Sequence, residues 1–416
     1  MEYNMNNANL IYENELKRYN SFKNANLNLD MSRGKPNSLQ LDLSNSIFDL
    51  FDSKTEFIGI QDYRNYGILD GIPEAKKLFS ELSGVSENEI FIMGNSSLNI
   101  MYDSVQRAMQ FGVLGGVPFN KQKEIKWLCP VPGYDRHFSV TEVFGIKMIN
   151  VPMLKTGPDM DIIEEYIKDE TVKGIWCVPK YSNPQGLVYS DETVERLAKM
   201  KPKAKDFRIY WDNAYIVHHI SEDVDLKNIF ETAKKYGNED MIYMFGSTSK
   251  ITFPGAGVAW VCASEKNILD MKKRVSYQTI GHDKINQILH VKFFKNVAGI
   301  NEHMKKHAEI LKPKFQKVID IFEEELSGLC LWDNPKGGYF ISCNLPEFTA
   351  KRAVELAKDA GVVMTDAGAT FPYKYDPLDS NVRIAPSFPT TEELEMGMRV
   401  FCCCVKLAWA EKKLNE

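Results

Sequence analysis

Five short polar clusters carry the side chains that could do chemistry in this 416-residue chain. Gly94-Asn95-Ser96-Ser97 offers two hydroxyls and a run of backbone N–H groups where a helix would begin. That is either a plain serine N-cap or a cradle for a phosphate. Pro132-Gly133-Tyr134 supplies an aromatic ring, and Tyr181-Ser182-Asn183-Pro184-Gln185-Gly186 an amide. Asp212-Asn213-Ala214-Tyr215 supplies a carboxylate and a phenol. A carboxylate that ends an apolar run needs a cation or a hydrogen-bond donor, and a helix cap would satisfy it as well. Ser247-Thr248-Ser249-Lys250 ends on an amine. A single lysine is usually a solvated loop residue, but one desolvated at a sheet end has a lowered pKa and can act as a nucleophile.

The set is more specific than its members. Phosphate cradle, aromatic platform, amide, carboxylate, phenol and amine are together what pyridoxal 5′-phosphate requires. Its phosphate suits a helix N-terminus and its ring a stacking aromatic. Its pyridine nitrogen needs a carboxylate to stay protonated, and its aldehyde needs a lysine.

The elements that must position these clusters follow from the hydrophobic pattern. Strands are predicted over 27–31, 89–93, 125–129, 147–151, 174–178, 208–211, 241–245 and 257–263. Helices are predicted between them, over 73–82, 97–109, 135–144, 159–168, 191–200 and 226–236. Strands alternating with helices mean a mostly parallel sheet, here about seven-stranded, with helices on both faces. In such sheets ligands sit outside the carboxyl ends of the strands, where the five clusters fall. Helices dominate from 266 to about 325. Short strands (329–332, 339–343, 382–385) and two helices (349–360, 391–413) then suggest a second, smaller α+β domain. The division expected is 1–50 as an arm that joins the small domain, 51–300 as the large domain and 301–416 as the small one.

The order and spacing of these clusters resemble the fold-type-I, pyridoxal-phosphate-dependent aminotransferases of class I, from about Leu29 to Pro386. The strongest motifs are Asn183-Pro184-Gln185-Gly186, Asp212-x-x-Tyr215 and Ser247-x-x-Lys250. Four further runs resemble a bacterial subgroup of aspartate aminotransferases: Met31-Ser32-Arg33-Gly34-Lys35-Pro36, Asp62-Tyr63-Arg64-Asn65-Tyr66-Gly67, Pro132-Gly133-Tyr134-Asp135-Arg136-His137-Phe138, and 249–257. The resemblance implies ping-pong transfer of an amino group, with aspartate as donor and 2-oxoglutarate as acceptor. It makes Lys250 the Schiff-base lysine and proton carrier, and Asp212 the partner of the pyridine nitrogen. It makes Tyr215 and Asn183 donors to the cofactor's phenolate oxygen, and Tyr134 the stacking ring. Asn95, Ser96, Ser97 and Ser247 become phosphate ligands. Tyr66 becomes the residue that reaches the neighbouring subunit's phosphate, which implies a homodimer with shared active sites. Arg383 would bind the substrate α-carboxylate, Gly34 would close over the substrate, and Asn183–Pro184 would be a cis peptide bond. Two departures stand out. Relatives carry an arginine eight to ten residues after the lysine, where this chain has Gly255-Ala256-Gly257-Val258-Ala259. The residue that reads the distal carboxylate stays open among Arg33, Lys35, Arg64 and Arg136.

Composition narrows the function classes. Apolar residues make up 44% and charged residues 26%, an ordinary globular balance. A net charge of −5 without a basic block argues against a nucleic-acid partner. No apolar run approaches the roughly 20 residues of a membrane span, and no signal-peptide pattern opens the chain. Eight cysteines without a CxxC pair point to free thiols in a reducing cytoplasm and away from a zinc site. His218-His219, the His303/His307 pair and Cys402–Cys404 are expected to be solvated or structural rather than metal ligands. Gly112–Gly116 reads as a turn. A lyase, or a transaminase for another donor, would share these residues. A ligand-sensing transcription regulator of the same fold would need an N-terminal helix-turn-helix, and only about thirty residues precede Met31.

Overall fold

The computed structural model describes Tyr3 and residues 5–416. Among the described residues thirteen strands occur in chain order: β1 Leu29–Asp30, β2 Ile90–Ile92, β3 Lys126–Val131, β4 Lys147–Leu154, β5 Gly157–Pro158, β6 Val172–Cys177, β7 Arg208–Asp212, β8 Ile242–Ser247, β9 Ala259–Cys262, β10 Leu331–Trp332, β11 Ile341–Asn344, β12 Val362–Val363 and β13 Asn381–Ile384. Eight of them form one sheet in the order β2-β9-β8-β7-β6-β3-β4-β5. The pairs β3·β4, β3·β6, β6·β7 and β7·β8 are parallel, whereas β9 runs against both neighbours. The sheet has eight strands and not the expected seven. The additional one, β5, is a two-residue antiparallel edge strand whose Gly157 has φ +125°, too short to leave a period in the sequence.

The central strands read as continuous apolar runs because helices cover both faces. Every residue of β6, β7 and β9 is buried. One apolar core lies against the sheet face that carries Leu128, Ile175 and Trp211, and a second against the face that carries Trp127, Trp176 and Tyr210. This alternation of successive residues between faces is the period of two of a strand. A third core gathers buried apolar residues between Leu311 and Ala408 together with Tyr19, Met31, Val178, Tyr181, Tyr215 and Ile220. It packs the helix Val297–Glu325 and the C-terminal helix Thr391–Asn415 around the three-stranded sheet β10-β11-β13.

The N-terminal segment is drawn into this last unit. Helix Ala8–Asn24 lies along the C-terminal helix through Ala8, Ile11, Trp409 and Ala410, and Arg18 pairs with Glu325. Strand β1 pairs in parallel with β12, which leads the chain directly into Met31-Ser32-Arg33-Gly34. The start of helix Ala8–Asn24 is held by tertiary packing of Ala8 and Ile11 against the C-terminal helix. Cys402, Cys403 and Cys404 are buried and free, as packing residues of the C-terminal helix. No helix among the described residues is long and apolar enough to cross a membrane.

Candidate active site

The carboxyl ends of β2, β3, β6, β7 and β8 converge on one cavity of about 250 Å³. Gly34, Ser96, Ser97, Tyr134, Asn183, Asp212, Tyr215, Ser247 and Lys250 all line it. Gly94, at φ +58°, turns the chain out of β2 into the helix Ser97–Phe111, a conformation that glycine adopts without strain. Ser96 is the N-cap residue, yet its hydroxyl makes no cap hydrogen bond, so hydroxyl and helix N-terminus are both available to an anion. Asn95 is exposed beside the cavity and does not line it. Its Nδ2 donates to Pro254 O at 3.5 Å, and its backbone oxygen accepts from Ser249 Oγ at 3.2 Å.

Asp212 is the last residue of β7 and 3% exposed. His137 Nε2 donates to its Oδ2 at 2.9 Å, and the imidazole stacks on Trp176 at 4.5 Å. The other oxygen, Oδ1, is buried and has no hydrogen-bond partner among the described residues. A buried carboxylate oxygen left in this way costs free energy unless a donor meets it. Lys250 Nζ lies over the Tyr215 ring at 4.8 Å. Burial pushes the Lys250 ammonium below its ordinary pKa; Asp212 opposes this shift and Arg383 adds to it. Burial raises the Tyr215 and Tyr134 phenols, so both stay protonated as donors.

Arg383, on β13, lines an adjoining outer cavity. Its Nη1 donates to Asp135 Oδ1 at 2.7 Å and to Asn183 Oδ1 at 3.3 Å, while its buried Nε has no partner among the described residues. The guanidinium lies over Phe340 at 4.8 Å. That same ring leaves no room for a side chain at position 34, where a Cβ would stand 2.1 Å from Phe340 Cζ. Asn183–Pro184 is cis, and so is Val131–Pro132. Tyr66 is 76% exposed and lies outside both cavities. Arg33, Lys35 and Arg136 line the outer cavity, whereas Arg64 is held by Asp62 away from it. Among the described residues, the basic ones that line the inner cavity are Lys35 and Lys250. Sequence reasoning missed two supports, His137 behind Asp212 and Asp135 beside Arg383. Both sit in the first turn of the helix that follows Tyr134.

Four histidines near Lys250 are buried and hydrogen-bonded. Burial depresses all of them, to about 4 for His290 and about 3 for His307, and further than an exposed histidine for His218 and His303. They are neutral when folded and take up protons near pH 6.5 when unfolded. The unfolded state thus binds more protons below that pH, and stability falls as the pH drops from about 6.5 towards 4. The expected slope is about 1.4 kcal/mol per pH unit for each such histidine. Tm measured from pH 7.5 to 4.5 checks this, and His290→Gln should flatten the profile. Among the described residues no cluster of His, Cys, Asp or Glu is arranged to hold a metal ion.

The sequence model of the aspartate amino-transferase family matches residues 5–416. The chain belongs to this family. It is 43% identical over 414 residues to a Mycolicibacterium smegmatis protein named as an aminotransferase, covering 97% of this chain and 96% of the relative. It is 42% identical over 415 residues to the aspartate aminotransferase of Corynebacterium glutamicum, covering 98% and 95%. The crystal structure of an aspartate transaminase from Corynebacterium glutamicum superposes with a TM-score of 0.96 at 41% identity, covering 99% of this chain and 98% of the other. As a member of the family the protein is an aminotransferase of the fold-type-I architecture, acting on an amino acid and a 2-oxo acid.

Proposed function

We propose that this aminotransferase takes its amino group from L-aspartate and passes it to 2-oxoglutarate, with pyridoxal 5′-phosphate held in the inner cavity. The unpartnered Asp212 Oδ1, in a cavity that also holds Lys250, carries the cofactor reading. It is an acceptor waiting for a ring N–H. The donor reading is supported by the aspartate transaminases that the chain resembles at 41–42% identity. When bound, the cofactor supplies an electron sink for the bonds at the substrate Cα.

The chain's residues do the rest. Lys250 Nζ, its proton loosened by burial, anchors the cofactor and takes the proton from the substrate Cα. Asp212, steadied by His137, accepts the hydrogen bond of the pyridine nitrogen. Tyr215 and Asn183 donate to the phenolate oxygen, and Tyr134 supplies the stacking ring. Ser96, Ser97, Ser247 and the helix N-terminus receive the phosphate. Arg383 binds the α-carboxylate beside the wall that Gly34 forms. Tyr66, exposed and away from its own cavity, fits a residue that reaches the site of a second copy, hence a homodimer with shared active sites. We further read a cytoplasmic protein whose large domain is 51–300 and whose small domain is 301–416 joined by 1–50.

The test is a half-reaction. L-Aspartate alone, added to the cofactor-loaded protein, should bleach the visible band and release one equivalent of oxaloacetate per site. An unchanged spectrum rejects aspartate, and pyruvate with ammonia would make the protein a lyase. Arg383→Lys keeps the charge but loses the planar fork that Asp135 and Asn183 hold in place. It should raise KM for aspartate at least about tenfold with a smaller fall in kcat, as steady-state kinetics would show.

A further inference from the structure

A buried polar chain runs under Lys250 from the opposite wall of the cavity. The wall is Gly34-Lys35-Pro36, and the next residue, Asn37, caps the short helix Ser38–Asp42. Asn37 Oδ1 accepts from Gln40 N at 3.0 Å, and Asn37 N donates to Gln40 Oε1 at 3.3 Å. Asn37 Nδ2 donates to Ser387 O at 3.2 Å, and Ser387 Oγ donates to Lys35 O at 3.0 Å. The wall is thereby fastened to a fully buried glutamine, Gln40.

The Gln40 amide nitrogen donates twice, to Tyr339 Oη at 2.9 Å and to His307 Nδ1 at 3.1 Å. Each branch ends on the backbone around Lys250. Tyr339 Oη donates to Lys250 O at 3.4 Å, where His218 Nε2 also donates at 3.4 Å. His307, whose Nδ1 accepts from Gln40, carries its proton on Nε2 and points it at His303 Nε2, 3.2 Å away, and His303 Nε2 lies 2.9 Å from Ile251 O. The next residue is held too. His290 Nδ1 donates to Asn286 O at 2.8 Å, which leaves its Nε2 to accept from the Thr252 hydroxyl at 2.8 Å. Residues 250, 251 and 252 are thus each met by a histidine, and Gln40 joins that turn to the substrate-facing wall; Ser44 Oγ, further along the same segment, stands 3.2 Å from His303 Nε2. A core that needed only packing would be filled with apolar groups, since every polar group buried here must be matched.

We propose that Gln40 is a positioning residue: it sets the Lys250 turn relative to the wall at Gly34–Pro36, so that the amine and the substrate pocket keep one spacing. Proton transfer at the substrate Cα depends on that spacing, because misplacement by an ångström costs large factors in rate. The inference rests on the reading of Lys250 as the cofactor-holding lysine.

The test uses cofactor-loaded protein and three variants: Gln40→Leu, Tyr339→Phe and the double variant. Tyr339→Phe loses only a hydroxyl and keeps the packing, so it remains informative if Gln40→Leu folds poorly. Gln40→Leu should bind the cofactor, lower kcat about tenfold and move the pH midpoint of the cofactor's visible band. Tyr339→Phe should move both readouts the same way. Because they cut one chain, the double variant should be no worse than the stronger single variant. Wild-type kcat and band midpoint in Gln40→Leu, whatever its Tm, would overturn the proposal, as would multiplicative effects in the double variant. The band is read without any donor, so a wrong choice of aspartate does not affect it. A wild-type protein without a pH-dependent visible band would remove the Lys250 reading and this inference together.

Discussion

Lys250→Ala is expected to lower turnover by at least about 10⁴-fold, the upper range for loss of an acid–base group, and to leave the protein folded. Two functions disappear with one amine: the covalent hold on the cofactor and the base that reaches the substrate Cα. The fold should survive because the Lys250 backbone is held independently of the side chain, through Lys250 O to Tyr339 and His218 and through Ile251 O to His303. Among the described residues the side chain itself makes no ion pair; it approaches the Tyr215 and Tyr339 rings at 4.8 and 6.0 Å. Tm should therefore stay near the wild-type value or rise, since a buried ammonium is removed. Borohydride reduction followed by intact mass measurement separates the two functions. Wild-type protein should retain the cofactor covalently and the variant should not, although Asp212, the serines and the aromatic ring still offer it a site. Normal turnover by the variant would remove Lys250 from the centre of the site.

The reason this site was legible from sequence is that its main residues sit at strand ends. A buried strand announces itself as an apolar run, and the first polar residue after it is already located in space. That placed Tyr134, Asn183, Asp212 and Ser247–Lys250 on one edge of the sheet before any contact was known. Other features left no such trace. Asn95 sits beside Ser96, but the direction of its side chain depends on Pro254, 159 residues away. His137 and Asp135 lie in an amphipathic first turn, where an acid and a histidine ordinarily face water. Their contacts reach Asp212 and Arg383, 75 and 248 residues along the chain. His303 and His307, on a lysine-rich helix, read as solvated or structural, and it is the segment that carries Gln40 and Ser44 that buries them. Strand β5 failed for another reason: two residues cannot show a period. Local pattern thus located what the sheet edge carries, whereas the supports are tertiary.

Asp212→Asn should lower kcat by about 10³-fold, a loss typical of removing one preorganised electrostatic group, with little change in shape. The aspartate uses its two oxygens differently: Oδ2 accepts from His137 and Oδ1 is left for a donor from the cavity. Asparagine has one oxygen. If it accepts from His137, an NH₂ donor faces the cavity; if it turns over, two N–H groups face each other in a buried pocket. Either arrangement fails to keep a pyridine nitrogen protonated, so the variant should bind the cofactor and still react slowly. His137→Phe, which keeps an aromatic ring against Trp176 and leaves the carboxylate charge, should cost only about tenfold, as lost orientation rather than lost charge. A second readout separates charge from shape. Asp212 raises the pKa of Lys250 against the larger effect of burial, so removing its charge must lower that pKa further. In protein freed of cofactor, the pH at which Lys250 becomes half-reactive towards an amine reagent should therefore fall in Asp212→Asn and stay in place in His137→Phe. A lysine that is more reactive in isolation but belongs to a slower enzyme is what a carboxylate that acts on the cofactor ring would leave behind. If both variants slow the enzyme equally and leave the Lys250 profile unchanged, Asp212 serves the fold and not the reaction.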